Sequence, residues 1–136
     1  MSDAGPDRVA RRILIVDDAD EARAILAIAL RTIAGASVEV ADSAEHALAL
    51  LVTATVDVLV TDFRMSGMSG FELLAALRDR GRWPTCGAVV ISGETDPELP
   101  RRVRECGAAA FFSKPFSASE VRKSVISLLE SSYGMA

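Results

Sequence analysis

The chain has 136 residues, 50% of them hydrophobic and 25% charged, with a formal net charge of -4. That length supports one domain able to bury a core without disulfide or metal staples, and that balance is the balance of an ordinary globule rather than a disordered or membrane chain. The acidic charge argues against general affinity for a polyanion, which draws on clustered Lys and Arg, so no direct nucleic-acid partner is expected.

No apolar run approaches the ~18 to 20 residues that cross a bilayer, and the earliest, ILIV, is cut short by two aspartates. Neither a signal peptide nor a membrane partner is expected. Cys86 and Cys106 are far apart and not in CxxC spacing, which fits reduced, semi-buried thiols in a cytoplasmic protein.

In chain order, residues 1–11 are polar with a Gly-Pro turn signal and read as a tail, with order beginning at Ile13. The run ILIVDD (13–18) is a strand ending in two acids. Ala22, Ile25, Leu26, Ala29, Leu30 and Ile33 then fall at helical spacing, with Asp20 as N-cap and Gly35 as stop. A second strand near Val38–Ala41 leads to a helix starting at Asp42 or Ser43, with Ala44, Ala47, Leu48 and Leu51 inward. Val56–Thr61 is the third strand, within VDVLVTD (56–62). After the loop RMSGMSG comes a helix with Phe71, Leu74 and Leu77 buried and Gly81 at its end. Ala88–Ile91 is the fourth strand, and Asp96-Pro97 is the expected N-cap and first turn of a short helix ending at Gly107, although Pro100 leaves its start open. Ala109–Ser113 is the fifth strand. Ser117 and Glu120 stand at capping-box spacing before a last helix that buries Val121, Val125, Leu128 and Leu129. The domain therefore spans 12–131, with a short tail at 132–136.

Five strands alternating with five helices predict an α/β, doubly wound parallel sheet, because each parallel return needs a crossover helix. The apolar runs read as buried parallel strands whose polar ends meet at one edge, where open α/β sheets form sites. Asp17, Asp18 and Asp62 then crowd together beside Lys114. Carboxylates about 4 Å apart repel by ~1 kcal/mol in water and ~4 kcal/mol at an effective dielectric of 20, so three of them favour a captured cation or raised pKa values. Magnesium suits an all-oxygen donor set.

In these residues the chain resembles a bacterial response-regulator receiver domain over residues 12–131. The pattern is an acidic pair after strand one (Asp17, Asp18), an acceptor aspartate after strand three (Asp62), Ser or Thr after strand four (Ser92) and Lys-Pro after strand five (Lys114, Pro115). The resemblance implies a flavodoxin-like strand order 2-1-3-4-5. It implies Mg²⁺, with Mn²⁺ as a substitute, held by Asp18, Asp62 and the Arg64 backbone carbonyl directly and by Asp17 through water. Asp62 would take a phosphoryl group from a sensor histidine kinase or a phosphotransfer protein, with Lys114 and Ser92 meeting the phosphoryl oxygens. Ser92 and Phe111 would form a switch acting on the face of the fourth helix, fifth strand and fifth helix, where a downstream protein binds; a phosphorylation-dependent homodimer is compatible with this. A cis bond between Lys114 and Pro115 is also implied. Such a chain is a signalling switch that catalyses only its own phosphorylation and dephosphorylation, not a turnover enzyme.

Departures from the family pattern are Ser66 where Pro is usual, Ser92 for the commoner Thr, and Phe111 for the frequent Tyr. Arg64 and Glu94 occupy the two variable positions that influence phosphoryl lifetime, and we expect them to pair across the mouth of the site and restrict water. Simpler roles exist for each residue: Asp17 and Asp18 as a helix-entry cap, Ser92 beside Gly93 as a turn residue, Phe111 as core in either case. His46 reads as an exposed surface histidine, and Arg101, Arg102 and Arg104 as a solvated basic face. The Met start and short tail favour a stand-alone protein over a module excised from a larger regulator or hybrid kinase. A flavodoxin-like FMN carrier is a distant alternative, since the loop DDADEA would repel a phosphate.

Overall fold

The computed structural model describes residues 10–134, with side chains through Ser131. Residues 1–9 of the expected N-terminal tail lie outside the described residues, as do 135 and 136. Ten elements alternate: β1 (Arg11–Val16), α1 (Asp20–Leu30), β2 (Ala36–Ala41), α2 (Ala44–Leu50), β3 (Val58–Asp62), α3 (Gly70–Asp79), β4 (Gly87–Ser92), α4 (Leu99–Glu105), β5 (Ala110–Ser113) and α5 (Ala118–Gly134). The strands form one parallel sheet in the order β2-β1-β3-β4-β5, as expected.

Strand alternation divides the core in two. Leu14, Val16, Leu59 and Val90 point to one face, where Ala47 of α2, Leu73, Leu74 and Leu77 of α3 and Val103 of α4 cover them. Ile13, Ile15, Val58, Val60, Val89 and Ile91 point to the other, against Leu26 and Leu30 of α1 and Val121, Val125 and Leu129 of α5. Every residue of β3 and β4 is buried, which is why each reads as an apolar run up to the polar residues, Thr61 and Asp62 or Ser92, at its C-terminal end. Each fully buried Leu or Ile contributes roughly 1.5–3 kcal/mol relative to exposure, so the central strands anchor the edge that carries the polar residues.

Several element limits differ from the sequence expectation, each for a local reason. β1 begins at Arg11, not Ile13, because the Arg11 N–H donates to the Gly35 carbonyl (2.9 Å) and the Arg12 N–H to Asp57 Oδ2 (2.7 Å). Asp20 is the first residue of α1 rather than its cap. Ala19 holds the cap position, its N–H bonded to Asp17 Oδ1 (2.9 Å), while Asp20 pairs with Arg23 (2.6 Å). Ile25, expected inside, is 44% exposed, and Ala27 takes its place in the core. α4 begins at Leu99 with Pro100 in its first turn, so Asp96 is not its N-cap; Asp96 Oδ1 instead accepts from the Glu98 N–H (2.9 Å). Ser117 accepts from the Glu120 N–H (3.3 Å), whereas the Glu120 carboxylate faces Lys123 (3.5 Å). The reciprocal capping box forms at Ser69 and Glu72. α5 continues to Gly134, past the expected boundary at 131.

Candidate functional site

Strand register brings the polar ends level. Val16 pairs with Thr61, so Asp17 and Asp62 leave their strands side by side. Asp62 pairs with Ile91 and Ser92 with Ser113, which puts Ser92 and Lys114 one step beyond on the adjacent strands. Ligand oxygens of Asp17, Asp18 and Asp62 all lie within 4.8 Å of one another. Asp17 and Asp62 are buried at 1% and 6% exposure, while Asp18 is exposed.

Lys114 is the cation within this group, its Nζ 3.1 Å from Asp62 Oδ1 and 3.7 Å from Asp17 Oδ2. One ammonium does not offset three carboxylates. Burial above all, and then the charge of Asp17, pushes the Asp62 carboxyl up from 3.8 to about 6; Lys114 pulls it down, and Asp18 adds a smaller upward push. Asp17 Oδ2 is buried with no hydrogen-bond partner. A buried carboxylate oxygen without a donor costs free energy, and a hard divalent cation held among the three carboxylates would relieve it. The donor set therefore fits magnesium, and the carboxylates proposed from sequence are the ones the fold gathers.

Ser92 is 1% exposed, and its Oγ accepts the Glu94 N–H (2.9 Å). It thus serves as a turn residue and still has its own hydroxyl proton to donate. Arg64 Nε donates to Glu94 Oε2 (2.6 Å), joining the β3–α3 and β4–α4 loops across the site, and the guanidinium lies 5.8 Å from the Phe63 ring centre. Phe111 is half-buried against the α2–α3–α4 side of the sheet, beside Val90. The Lys114-Pro115 bond is cis.

His46 is exposed and faces Asp42 (3.3 Å), and Arg101 pairs with Glu98 and Glu105; none of these joins the acidic cluster. Two contributors went unseen in the sequence. The Ser66 N–H donates to Asp18 Oδ2 (3.0 Å), and Glu45 of α2 accepts from the Met68 N–H (3.1 Å). The first is a main-chain group with no side-chain signature, and the second spans separate elements. Only the Ser66 departure hinted at either.

A family model described as the response regulator receiver domain matches residues 13–126. The chain is 30% identical over 119 residues to the chemotaxis protein CheY of Pseudomonas aeruginosa, covering 88% of this chain and 96% of that one. It is 32% identical over 118 residues to the sensor histidine kinase TmoS of Ectopseudomonas mendocina, a match that takes in 87% of this chain and 12% of the kinase. The solved structure of the chemotaxis response regulator CheY4 of Vibrio cholerae has a TM-score of 0.78 at 29% identity, covering 88% of this chain and 99% of that one. Since the matched span runs from the first strand into the last helix and includes every strand end that builds the acidic cluster, this chain belongs to the response regulator receiver domain family of two-component signalling.

Proposed function

We propose that the chain is the phosphoacceptor of a two-component phosphorelay, with Asp62 receiving the phosphoryl group from a sensor histidine kinase or a phosphotransfer protein. The observation that carries this reading is the buried Asp62–Asp17 pair, two carboxylates compensated by the single ammonium of Lys114. Asp17, Asp18, Asp62 and the Arg64 backbone carbonyl would hold Mg²⁺, or Mn²⁺ in its place; when bound, the ion supplies positive charge to carboxylate and phosphoryl oxygens together.

The chain's own groups divide the remaining work. An Asp62 oxygen attacks phosphorus, the P–N bond to the donor imidazole breaks, and its electron pair stays on the imidazole nitrogen. Lys114, already on Asp62 Oδ1, lies within reach of a phosphoryl oxygen and supplies a point charge. Ser92 donates its free proton to another. The Arg64–Glu94 pair closes the mouth and limits water, setting how long the acyl phosphate lasts. Inward movement of Ser92 lets Phe111 repack, and the face formed by α4, β5 and α5 then changes for a downstream protein or a second copy. Exposed Ile25, with Ala22, Pro115 and Phe116, makes an apolar rim beside Lys114, edged by Glu21 and suited to a protein donor. No helix among the described residues is long and apolar enough to cross a membrane. A cytoplasmic location is part of the same proposal and rests on the family resemblance.

The partial match to a sensor kinase favours a second reading, a receiver module within a longer hybrid protein, which the full gene length decides. A flavin carrier is disfavoured because the β1–α1 turn presents Asp17 and Asp18 where a phosphate cradle would need glycines and hydroxyls. The test is incubation with Mg²⁺ and acetyl phosphate followed by intact mass measurement. One phosphoryl adduct is expected, absent from Asp62→Asn. No adduct, or one that survives the substitution, overturns the proposal.

A further inference from the structure

Asp18 differs from its neighbours in the cluster. Asp17 and Asp62 are fixed by burial, at 1% and 6% exposure, but Asp18 is exposed, and no core packing selects its rotamer. The hydrogen bond that orients it comes from the Ser66 N–H, 3.0 Å from Oδ2. A proline at position 66 would have no such hydrogen to give.

The donor is itself held in place. Beyond Ser66 in the loop, the Met68 N–H donates to Glu45 Oε2 (3.1 Å), the Ser69 N–H to Glu72 Oε1 (2.8 Å) and the Gly70 N–H to the Phe63 carbonyl (2.7 Å). Gly67 adopts φ +78°, and a Cβ there would stand 2.9 Å from Glu45 Oε2, so the loop closes tightly on α2. The direction of the Ser66 N–H is therefore set by the loop, and Asp18 turns to meet it. With Oδ2 engaged, Oδ1 is left for a cation. A ligand oriented through one atom while it binds through another is the usual arrangement around protein-bound metals, and losing such an orienting group typically costs 10–100-fold in affinity.

We propose that the main-chain N–H of Ser66 is a positioning group for Asp18, fixing this carboxylate for cation capture and tying the β3–α3 loop to the occupancy of the acidic cluster. This rests on the cation-binding reading of Asp17, Asp18 and Asp62 given above. On this proposal the hydrogen bond takes Oδ2 and the cation would take Oδ1, so that the two act together rather than compete.

The test compares Mg²⁺ binding to the full chain by calorimetry for the parent, Ser66→Ala, which keeps the N–H, and Ser66→Pro, which removes it. Ser66→Ala should bind within about twofold of the parent and Ser66→Pro about tenfold more weakly. Equal or tighter binding by Ser66→Pro overturns the inference, as does equal weakening in both variants, which would implicate the hydroxyl. A second measurement needs no variant: hydrogen exchange at the parent's Ser66 amide should stay as slow or become slower when Mg²⁺ is added. Faster exchange means the ion displaces the bond and also overturns the inference. A parent that takes up no Mg²⁺ sinks the cation site itself; a parent that binds while Ser66→Pro binds equally well sinks only the role of the N–H.

Discussion

Replacing Asp62 by Asn should make the protein more stable, with a sign and a pH window fixed by the electrostatics of the cluster. Asn keeps the shape of the side chain and removes the charge that burial and Asp17 oppose. In the folded protein the Asp62 carboxyl is pushed up to about 6 from an ordinary 3.8. The favourable pull of Lys114 is already included in that balance. Between these two values the folded state binds more protons than the unfolded state, so stability falls as pH rises through the window. Below it both states are protonated and there is no penalty; above it the penalty is complete. A shift of about two units at 1.36 kcal/mol per unit gives a cost of about 3 kcal/mol at neutral pH. Urea unfolding in EDTA, at steps from pH 4 to 7.5, should show Asp62→Asn more stable by about that amount at pH 7, with the gap closing toward pH 4. Added Mg²⁺ should stabilise the parent and narrow the gap from the other side. Equal stability of the two proteins at pH 7, or a gap of the same size at both ends of the range, would refute the claim that Asp62 is a charge held against its environment.

Other substitutions read out separate parts of the site. Lys114→Ala removes the group that draws the Asp62 carboxyl down, so its pKa should rise above the parent's, as followed by the carboxyl carbon resonance during an NMR titration. Arg64→Ala breaks a pair whose arginine is 71% exposed, so stability should change by no more than about 0.5 kcal/mol, while the aspartyl phosphate decays severalfold faster by intact mass. A much longer-lived phosphate would contradict the water-limiting role of the pair. Gly70→Ala would set a Cβ 2.5 Å from the Asp62 carbonyl oxygen and 3.1 Å from Phe63 Cα, both main-chain atoms with little freedom to move. Its expected cost is about 1–3 kcal/mol in urea unfolding, and native-like stability would refute the close approach.

The parts of the molecule that could be read in the sequence are those where side chains alone decide the outcome. The middles of β1, β3 and β4 are apolar because they are buried on both faces, and polar residues gather at their C-terminal ends, at the edge of the sheet. Asp17, Asp62 and Lys114 follow directly from that pattern. Strand limits were legible only to within a residue or two in buried and half-buried strands alike: β3 runs Val58–Asp62 rather than the expected Val56–Thr61, and β2 starts at Ala36 rather than near Val38, because backbone pairing and not side-chain polarity sets where a strand begins. On α1 the apolar positions cover a wider arc than the core needs: Ile25 and Ile28 remain 44% and 68% exposed, and periodicity cannot tell a buried flank from a surface one. The start of α4 was ambiguous because Pro97 and Pro100 both suit a first turn. The loop contacts of Asp18 and Glu45 were illegible for a different reason: both partners are main-chain N–H groups, which every residue but proline possesses.

The two ends of the sheet show how the fold separates stability from function. At the N-terminal edge, Asp57 Oδ2 accepts from the Arg12 N–H (2.7 Å), and Oδ1 accepts from Thr85 Oγ1 (2.7 Å) with Arg11 Nε at 3.8 Å. Its main chain exchanges further bonds with Arg12 and Cys86, so this acid joins β1 to the segment leading into β4 with both oxygens satisfied. At the C-terminal edge of the same strands, Asp17 keeps a buried oxygen with no donor, and Asp62 is ionised against its surroundings. The chain has the means to neutralise a carboxylate at a strand end and does so at Asp57. Leaving the opposite end under-compensated cannot be a failure of composition. On the proposed function, it is the condition under which a cation and a phosphoryl group would meet a carboxylate whose charge the fold has left only partly matched.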